Sequence, residues 1–240
     1  MLPVGEEPLP QGETLMPQGD KKVRMVREMF DTIAPRYDLV NRIMTFRLDT
    51  RWRKRTVREL RLVAGSRILD LAAGTGDLCR ELQAAGHRPV GLDLSFGMLA
   101  AARTEAPLVQ ADALRLPVPD HAADGATCGF ALRNLADVGL FFDELARVVR
   151  PGGRIGLLEV ARPGNPVMRW GHGIYFGRVV PMIGGLLSDG AAYRYLPQSV
   201  AYLPEPPALV AMLRTAGFGD AVRHELSGGI SQLLVAPRDQ

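Results

Sequence analysis

The chain has little of what metal clusters, disulfide scaffolds, nucleic-acid grooves and membrane spans are built from. Its 240 residues include two cysteines, Cys79 and Cys128. They are too few and too far apart in sequence for a cysteine-rich metal cluster or a disulfide framework, and a reducing cytosol fits that usage. Lysine is nearly absent: Lys21, Lys22 and Lys54 leave almost all the positive charge to arginine, which fits a GC-rich coding sequence. The formal net charge of +3 is too small to imply nucleic acid, and no basic stripe interleaves with aromatics. His87, His121, His172 and His224 show no ligand spacing, so no metal is expected and each reads as a surface or packing residue. No basic start runs into an apolar stretch, so no secretory signal is expected. No segment reaches the ~18 uninterrupted apolar residues that span a bilayer. The nearest, Gly173 to Leu187, is broken by Arg178, Pro181 and three further glycines. It is too broken to span and too apolar for a solvated loop.

What is present is an α/β pattern. Hydrophobic residues make up 47% of the chain, enough for one substantial core. Residues 1–20 are rich in Pro, Gly and Glu without an apolar period and read as a disordered tail. Residues 21–240 read as a single domain, with an N-terminal helical cap over 21–63. In the cap, Val23, Val26, Phe30 and Ile33 have helical spacing up to Pro35. A second helix is expected over Thr50 to Leu62, with Trp52, Thr56, Val57, Leu60 and Val63 inward. Its other face would carry Arg51, Arg53, Lys54, Arg55, Arg58 and Arg61, either solvated or set against an anionic membrane surface.

Strands are then expected at 67–71, 89–93, 107–111, 125–131 and 154–160, and helices at 78–85, 98–104 and 138–149. The turn Arg150-Pro151-Gly152-Gly153 cannot continue a helix. Residues 162–204 form an excursion with weak regularity. A helix over 209–216 and a strand pair at 221–226 and 232–236 complete the chain. The whole reads as a doubly wound, mostly parallel seven-stranded sheet with a C-terminal antiparallel strand pair.

The densest signal is Ile68-Leu69-Asp70-Leu71-Ala72-Ala73-Gly74-Thr75-Gly76-Asp77, followed by Val90-Gly91-Leu92-Asp93-Leu94. A strand ends, turns through glycines and enters a helix, and the next strand stops at an acid seventeen residues beyond Gly76. Such an acid holds ribose hydroxyls. A dinucleotide site would carry a third glycine where Cys79 stands, and Asp77 places a carboxylate where a pyrophosphate would sit. There is no P-loop. The phosphate-free, cationic ligand that fits is S-adenosylmethionine. Asp112-Ala113 closes the third strand, where an acid either accepts from an adenine amino group or caps the strand. Arg133 follows the fourth strand, where donor and acceptor meet, or is structural.

Several blocks together resemble the menaquinone/ubiquinone biosynthesis C-methyltransferase family over residues 22 to 230. They are Met29 to Asp38 with Asn41, Trp52-Arg53, Asp70 to Leu78, Asp93-Leu94-Ser95 with Met98-Leu99 and Phe130 to Leu135. Arg150 to Arg154, Glu159 and Tyr193 to Val200 complete the set. The resemblance implies a Rossmann-like, class I S-adenosylmethionine-dependent methyltransferase. It would act on a ring carbon of a polyprenylated quinol, with demethylmenaquinol favoured and the equivalent ubiquinone step possible. It implies donor contacts from Tyr37, Asp70, Gly74, Thr75, Gly76, Asp93, Leu94, Asp112, Ala113 and Gly129, the last where the family pattern carries serine. Arg133 and Asn134 fall at the catalytic centre, and Tyr37 with Asn41 would close the N-terminal segment over the donor. Within the acceptor-side insertion 162–204, the apolar region 170–200 would meet the hydrophobic acceptor and the membrane, although an exposed apolar patch would equally serve a homodimer. Three positions depart from the pattern: Arg47 for a glycine, Leu203 for a phenylalanine and Leu234 for a histidine. They bear on the C-terminal lid. A methyltransferase for another small or lipid acceptor, and a non-catalytic donor-binding scaffold, are the competing readings.

Overall fold

In the computed structural model, residues 18–187, 192, 195 and 198–240 are described. Most of the expected 1–20 tail, and Tyr193, Arg194, Leu196 and Pro197, lie outside them. The element order is α1 (Gly19–Ile33), α2 (Tyr37–Met44), α3 (Leu48–Leu60), β1 (Arg67–Leu71), α4 (Asp77–Ala84), β2 (Arg88–Asp93), α5 (Phe96–Ala100) and β3 (Leu108–Gln110). Then come β4 (Ala123–Gly129), α6 (Val138–Val148), β5 (Val149–Val160), α7 (Pro166–Ile174), α8 (Val180–Leu187), a helix over Pro206–Thr215, β6 (Val222–Leu226) and β7 (Ser231–Pro237).

The seven strands form one sheet in the order β3-β2-β1-β4-β5-β7-β6. The first five run parallel, and β7 is antiparallel to both of its neighbours. Crossover connections, helical except between β3 and β4, give the first relation, and the short Ser227-Gly228-Gly229 connection gives the β6–β7 hairpin. Side chains of β1 alternate between two layers. Ile68 packs with Val57, Leu60, Leu78 and Leu82 of α3 and α4. Leu69 and Leu71 pack with Phe141, Phe142 and Leu145 of α6. Apolar burial on both faces is what a central parallel strand requires. Between β4 and β5 the register jumps from Ala123↔Val149 to Gly125↔Arg154, so Arg150 to Gly153 bulge out of the ladder.

The expected elements are present with shifted ends, and some expectations need correction. α3 stops at Leu60, capped by Arg61 in a left-handed conformation. Val63, expected inward, is therefore exposed beyond the cap. Arg53, expected on the solvated face, is buried. β4 ends at Gly129 rather than Ala131, because Phe130 turns to φ 61°. The helix expected at 98–104 is the shorter α5, begun by Ser95, whose Oγ accepts from Met98 N–H. The excursion is more regular than its glycines suggest. Asn165 caps α7, accepting from the N–H groups of Val167 and Met168. A π-helical segment, Tyr175–Val179, joins α7 to α8 without a break.

Candidate active site

The strand order reverses between β1 and β4, which is where open α/β sheets bind ligands beyond their C-terminal strand ends. Two cavities adjoin there. One is lined by Gly74, Asp93, Leu94, Asp112, Ala113, Gly129 and Asn134, among others. The second, about 310 Å³, is lined by Arg133, Asn41, Trp52, His172 and Tyr175 and is otherwise mostly apolar. Phe30, Tyr37 and Phe130 line both and frame the place where they meet.

The glycine turn builds the first cavity. Gly74 and Gly76 have φ of 55° and 80°, and a Cβ on Gly76 would stand 2.6 Å from Thr104 Cγ2. Only glycine meets both demands at Gly76. The turn presents Gly74 N–H, which donates to Asp93 Oδ2 at 2.8 Å, while Ser95 N–H donates to Asp93 Oδ1 at 2.8 Å. The carboxylate is thereby fixed at the tip of β2, and each oxygen keeps a further lone pair for a hydroxyl. Burial pushes its pKa up, while the Ser95 and Gly74 N–H groups pull it down. Asp112 Oδ1 accepts from Leu114 N–H at 2.9 Å, so it caps its own turn as well as lining the cavity. Asn134 is buried, and its Oδ1 has no hydrogen-bond partner among the described residues. An orphan carbonyl dipole beside Asp93 suits a ligand bearing hydroxyls and positive charge.

Three expected donor residues stand beneath this cavity rather than in its lining. Asp70 is buried, accepting from Thr127 Oγ1 at 2.7 Å and Cys79 Sγ at 3.3 Å. Burial raises its pKa to about 6, against the pull of those two donors. Thr75 is buried with its hydroxyl donating to Asp38 Oδ1 at 2.5 Å. Gly76 shapes the turn. The argument that Asp77 repels phosphate also needs correction. Asp77 is paired with Arg80, lies 3.2 Å from buried Arg53 and 4.0 Å from Arg42. Its charge is thus matched by arginines, and it ties the glycine turn to α2 and α3.

On the acceptor side, Arg133 is held from several directions. It pairs with fully buried Glu159 of β5, donates from Nη1 to Phe130 O at 2.8 Å and from Nε to Ser199 Oγ at 3.1 Å. It is thus both a cavity residue and a buried structural cation. Tyr37 lies between charges: burial raises its pKa, and Arg53 and Arg133 oppose the rise.

The chain matches the ubiE/COQ5 methyltransferase family over residues 17–237. It belongs to that family. It is 46% identical over 221 residues to a demethylmenaquinone methyltransferase of Thermus thermophilus, covering 88% of this chain and all of that one. It is 43% identical over 216 residues to a ubiquinone/menaquinone biosynthesis C-methyltransferase UbiE of Syntrophotalea carbinolica, covering 86% and 91%. Among solved structures, the [4+2]-cyclase SpnF superposes with a TM-score of 0.61 at 17% identity, covering 93% of this chain and 98% of that one. A Haemonchus contortus phosphoethanolamine N-methyltransferase 2 bound to S-adenosyl-L-methionine gives 0.57 at 15%, covering 76% and 51%. These two likenesses concern the fold alone.

As a ubiE/COQ5 methyltransferase the chain uses S-adenosylmethionine, and the first cavity fits it. Its lining offers the carboxylates of Asp93 and Asp112 and the glycine turn at Gly74. Several contributors were not among the site residues expected from the sequence. Val23, Val26 and Arg27 of α1 line the donor cavity. Asp31 anchors that helix, accepting from Ser95 Oγ at 2.5 Å and Gly97 N–H at 2.8 Å. Lys22 fastens its other end, donating to Leu135 O at 2.7 Å under the Tyr202 ring. His172, expected to be a surface or packing residue, lines the acceptor cavity, its ring 4.4 Å from Phe176 and its pKa lowered by burial. Leu234, where a histidine was expected, is buried in the main core on β7 and belongs to no lid.

Proposed function

We propose that the chain methylates a ring carbon of a reduced, prenylated quinol, with demethylmenaquinol the favoured acceptor. The observation that carries this reading is the pair of adjoining cavities that meet at Phe30, Tyr37 and Phe130, with the Arg133 guanidinium on the apolar side. A flat aromatic acceptor suits a frame of three rings, and its hydroxyl suits a buried cation.

S-adenosylmethionine supplies an electrophilic methyl group on a positively charged sulfur. Asp93 would hold the donor's ribose, Asp112 with Ala113 its adenine end and Asn134 its cationic end. Phe30, Tyr37 and Phe130 align the acceptor ring and exclude water, which supplies most of what an in-line displacement needs. The Arg133 guanidinium stabilises negative charge as the acceptor hydroxyl loses its proton. Glu159 and Phe130 O hold that guanidinium still. In the balance, the S–CH3 bond breaks as the ring C–CH3 bond forms, the ring carbon's proton makes good the one the hydroxyl lost, one proton passes to solvent overall, and S-adenosylhomocysteine leaves. A polyprenyl tail cannot be housed in 310 Å³ along with the ring. We therefore place the protein at a bilayer surface on the cytoplasmic side while it takes its acceptor; Cys79 and Cys128 are buried free thiols, as a reducing compartment favours. Among the described residues no helix is long and apolar enough to cross a membrane.

The test is methyl transfer from labelled S-adenosylmethionine to reduced demethylmenaquinone and to a demethylated ubiquinol precursor, offered in separate detergent micelles. Label in the naphthoquinol is expected. Label in both would extend the activity to the benzoquinol step. Label in neither, with donor binding confirmed by calorimetry, would overturn the reading.

A further inference from the structure

Methylation at a ring carbon needs a group that takes the proton of the acceptor's hydroxyl, and the acceptor cavity offers few. Among its described lining residues there is no carboxylate, lysine or cysteine. Arg133 keeps its proton at every working pH and is engaged by Glu159, Phe130 O and Ser199. Burial raises the pKa of Tyr37 and of Tyr175, so both stay protonated, and the Tyr175 hydroxyl donates to Met44 O at 2.8 Å. Asn41, Thr45 and Trp52 carry no basic atom. One described lining side chain can take a proton near neutrality, and it is His172.

The helix beneath it sets the position of this imidazole. α7 starts at the Asn165 cap, and Met168, His172, Tyr175 and Phe176 follow at helical spacing along the cavity. Tyr175 ties the run to α2 through Met44 O, and the Phe176 ring lies 4.4 Å from the imidazole at 32°. The Nε2 atom of His172 is buried and has no hydrogen-bond partner among the described residues. A buried ring nitrogen left without a partner calls for a functional reason. The titratable and charged groups that share the cavity with it are Tyr37 from α2, Arg133 from beyond β4 and Tyr175 from its own run. Burial lowers the pKa of the ring, which leaves it neutral, and so basic, at pH 7.

We infer that His172 is the general base of the reaction, taking the proton of the acceptor's hydroxyl while Arg133 holds the oxygen. The inference rests on the proposed quinol acceptor. The O–H bond breaks and its proton passes to an imidazole nitrogen. The electron pair left on oxygen moves into the ring, the ring carbon bonds to the methyl group, and the S–CH3 bond breaks. The ring carbon's own proton then restores the hydroxyl, and the imidazolium gives its proton to solvent. One proton is released for each methyl transferred. Base and guanidinium divide the work, and neither sets a negative charge against the developing oxyanion.

Two variants of the full chain test this in methyl transfer from labelled S-adenosylmethionine to reduced demethylmenaquinone in detergent micelles. His172→Gln keeps a polar side chain that cannot take a proton, and His172→Ala leaves room for free imidazole. Both are expected to lose about 100-fold in kcat, with donor affinity by calorimetry near wild type. Wild-type kcat should fall on the acid side through an apparent pKa below the ordinary histidine value of 6.5, and the variants should lack that limb. Added imidazole should restore His172→Ala at least about tenfold and leave His172→Gln unchanged. Wild-type kcat in His172→Gln would overturn the inference and leave the reaction standing. So would a loss of kcat that neither pH nor imidazole touches, because a packing role alone produces it. No methylation of any quinol by wild type, with donor binding intact, would overturn the proposed function and the inference with it.

Discussion

Arg133 and Glu159 form a buried ion pair at the wall of the acceptor cavity, and Glu159 Oε2 also accepts from the Arg133 backbone N–H at 3.2 Å. Removing one member of such a pair strands the other charge, at about 3–5 kcal/mol. Glu159→Gln is therefore expected to destabilise the protein by an amount in that range, measured by urea unfolding, and to lower turnover. An unchanged unfolding midpoint would show that the pair is not a structural unit.

Arg133→Lys keeps the charge and loses the fork that reaches Glu159, Phe130 O and Ser199 together. Turnover should fall about 10- to 100-fold, the equivalent of one charge-assisted hydrogen bond. Donor affinity by calorimetry should stay near wild type. Equal loss in both would place Arg133 in folding alone.

Asp93→Ala removes two oxygens available to the ribose and two anchors of the glycine turn. Donor affinity is expected to fall about 100-fold or more. Titration of S-adenosylmethionine giving wild-type affinity would refute the assignment of the first cavity.

Asp31 holds α1 over the donor through Ser95 and Gly97. Asp31→Ala should speed donor dissociation about tenfold in stopped-flow chase experiments. It should leave the sheet intact by circular dichroism. An unchanged off-rate would mean that α1 is not what retains the donor.

Asp70 gives the fold a pH dependence. Its folded pKa, about 6, lies above the ordinary carboxylate value of 3.8 because burial penalises the carboxylate. A group shifted upward favours the folded state fully below its unfolded pKa, and that contribution is lost as pH rises through the folded one. Between about pH 4 and pH 6 the loss attributable to Asp70 is on the order of 3 kcal/mol. Asp70→Asn does not titrate, so wild type should lose ground to it over that window in urea unfolding. A constant difference between the two would contradict the assignment.

The sequence carried the sheet because its signals are local. Ile68, Leu69 and Leu71 form a short apolar run that marks a strand buried on both faces, and Gly74, Gly76 and Asp93 mark a turn whose chemistry is written in residue type. What it hid depends on partners far along the chain. Arg53 reads as solvated because arginine on a basic helix face usually is, and only folding brings Asp77 to within 3.2 Å. Glu159 and Asp31 stand in blocks that mark the family, but their roles show only when Arg133 and Ser95 meet them. The glycines and Pro181 of α7 and α8 read as breakers. The Asn165 cap, Pro166 in the first turn and a π-helical join absorb them.

The central claim is methylation at carbon in the cavity beside Arg133, and isotope loss tests it most directly. Reduced demethylmenaquinone bearing deuterium on its open ring carbon is incubated with the protein and S-adenosylmethionine, and the quinone is read by mass spectrometry. The account predicts one deuterium lost for each S-adenosylhomocysteine formed, with the new methyl on that carbon. Methylated product that retains the deuterium would mean transfer to oxygen, and would contradict it.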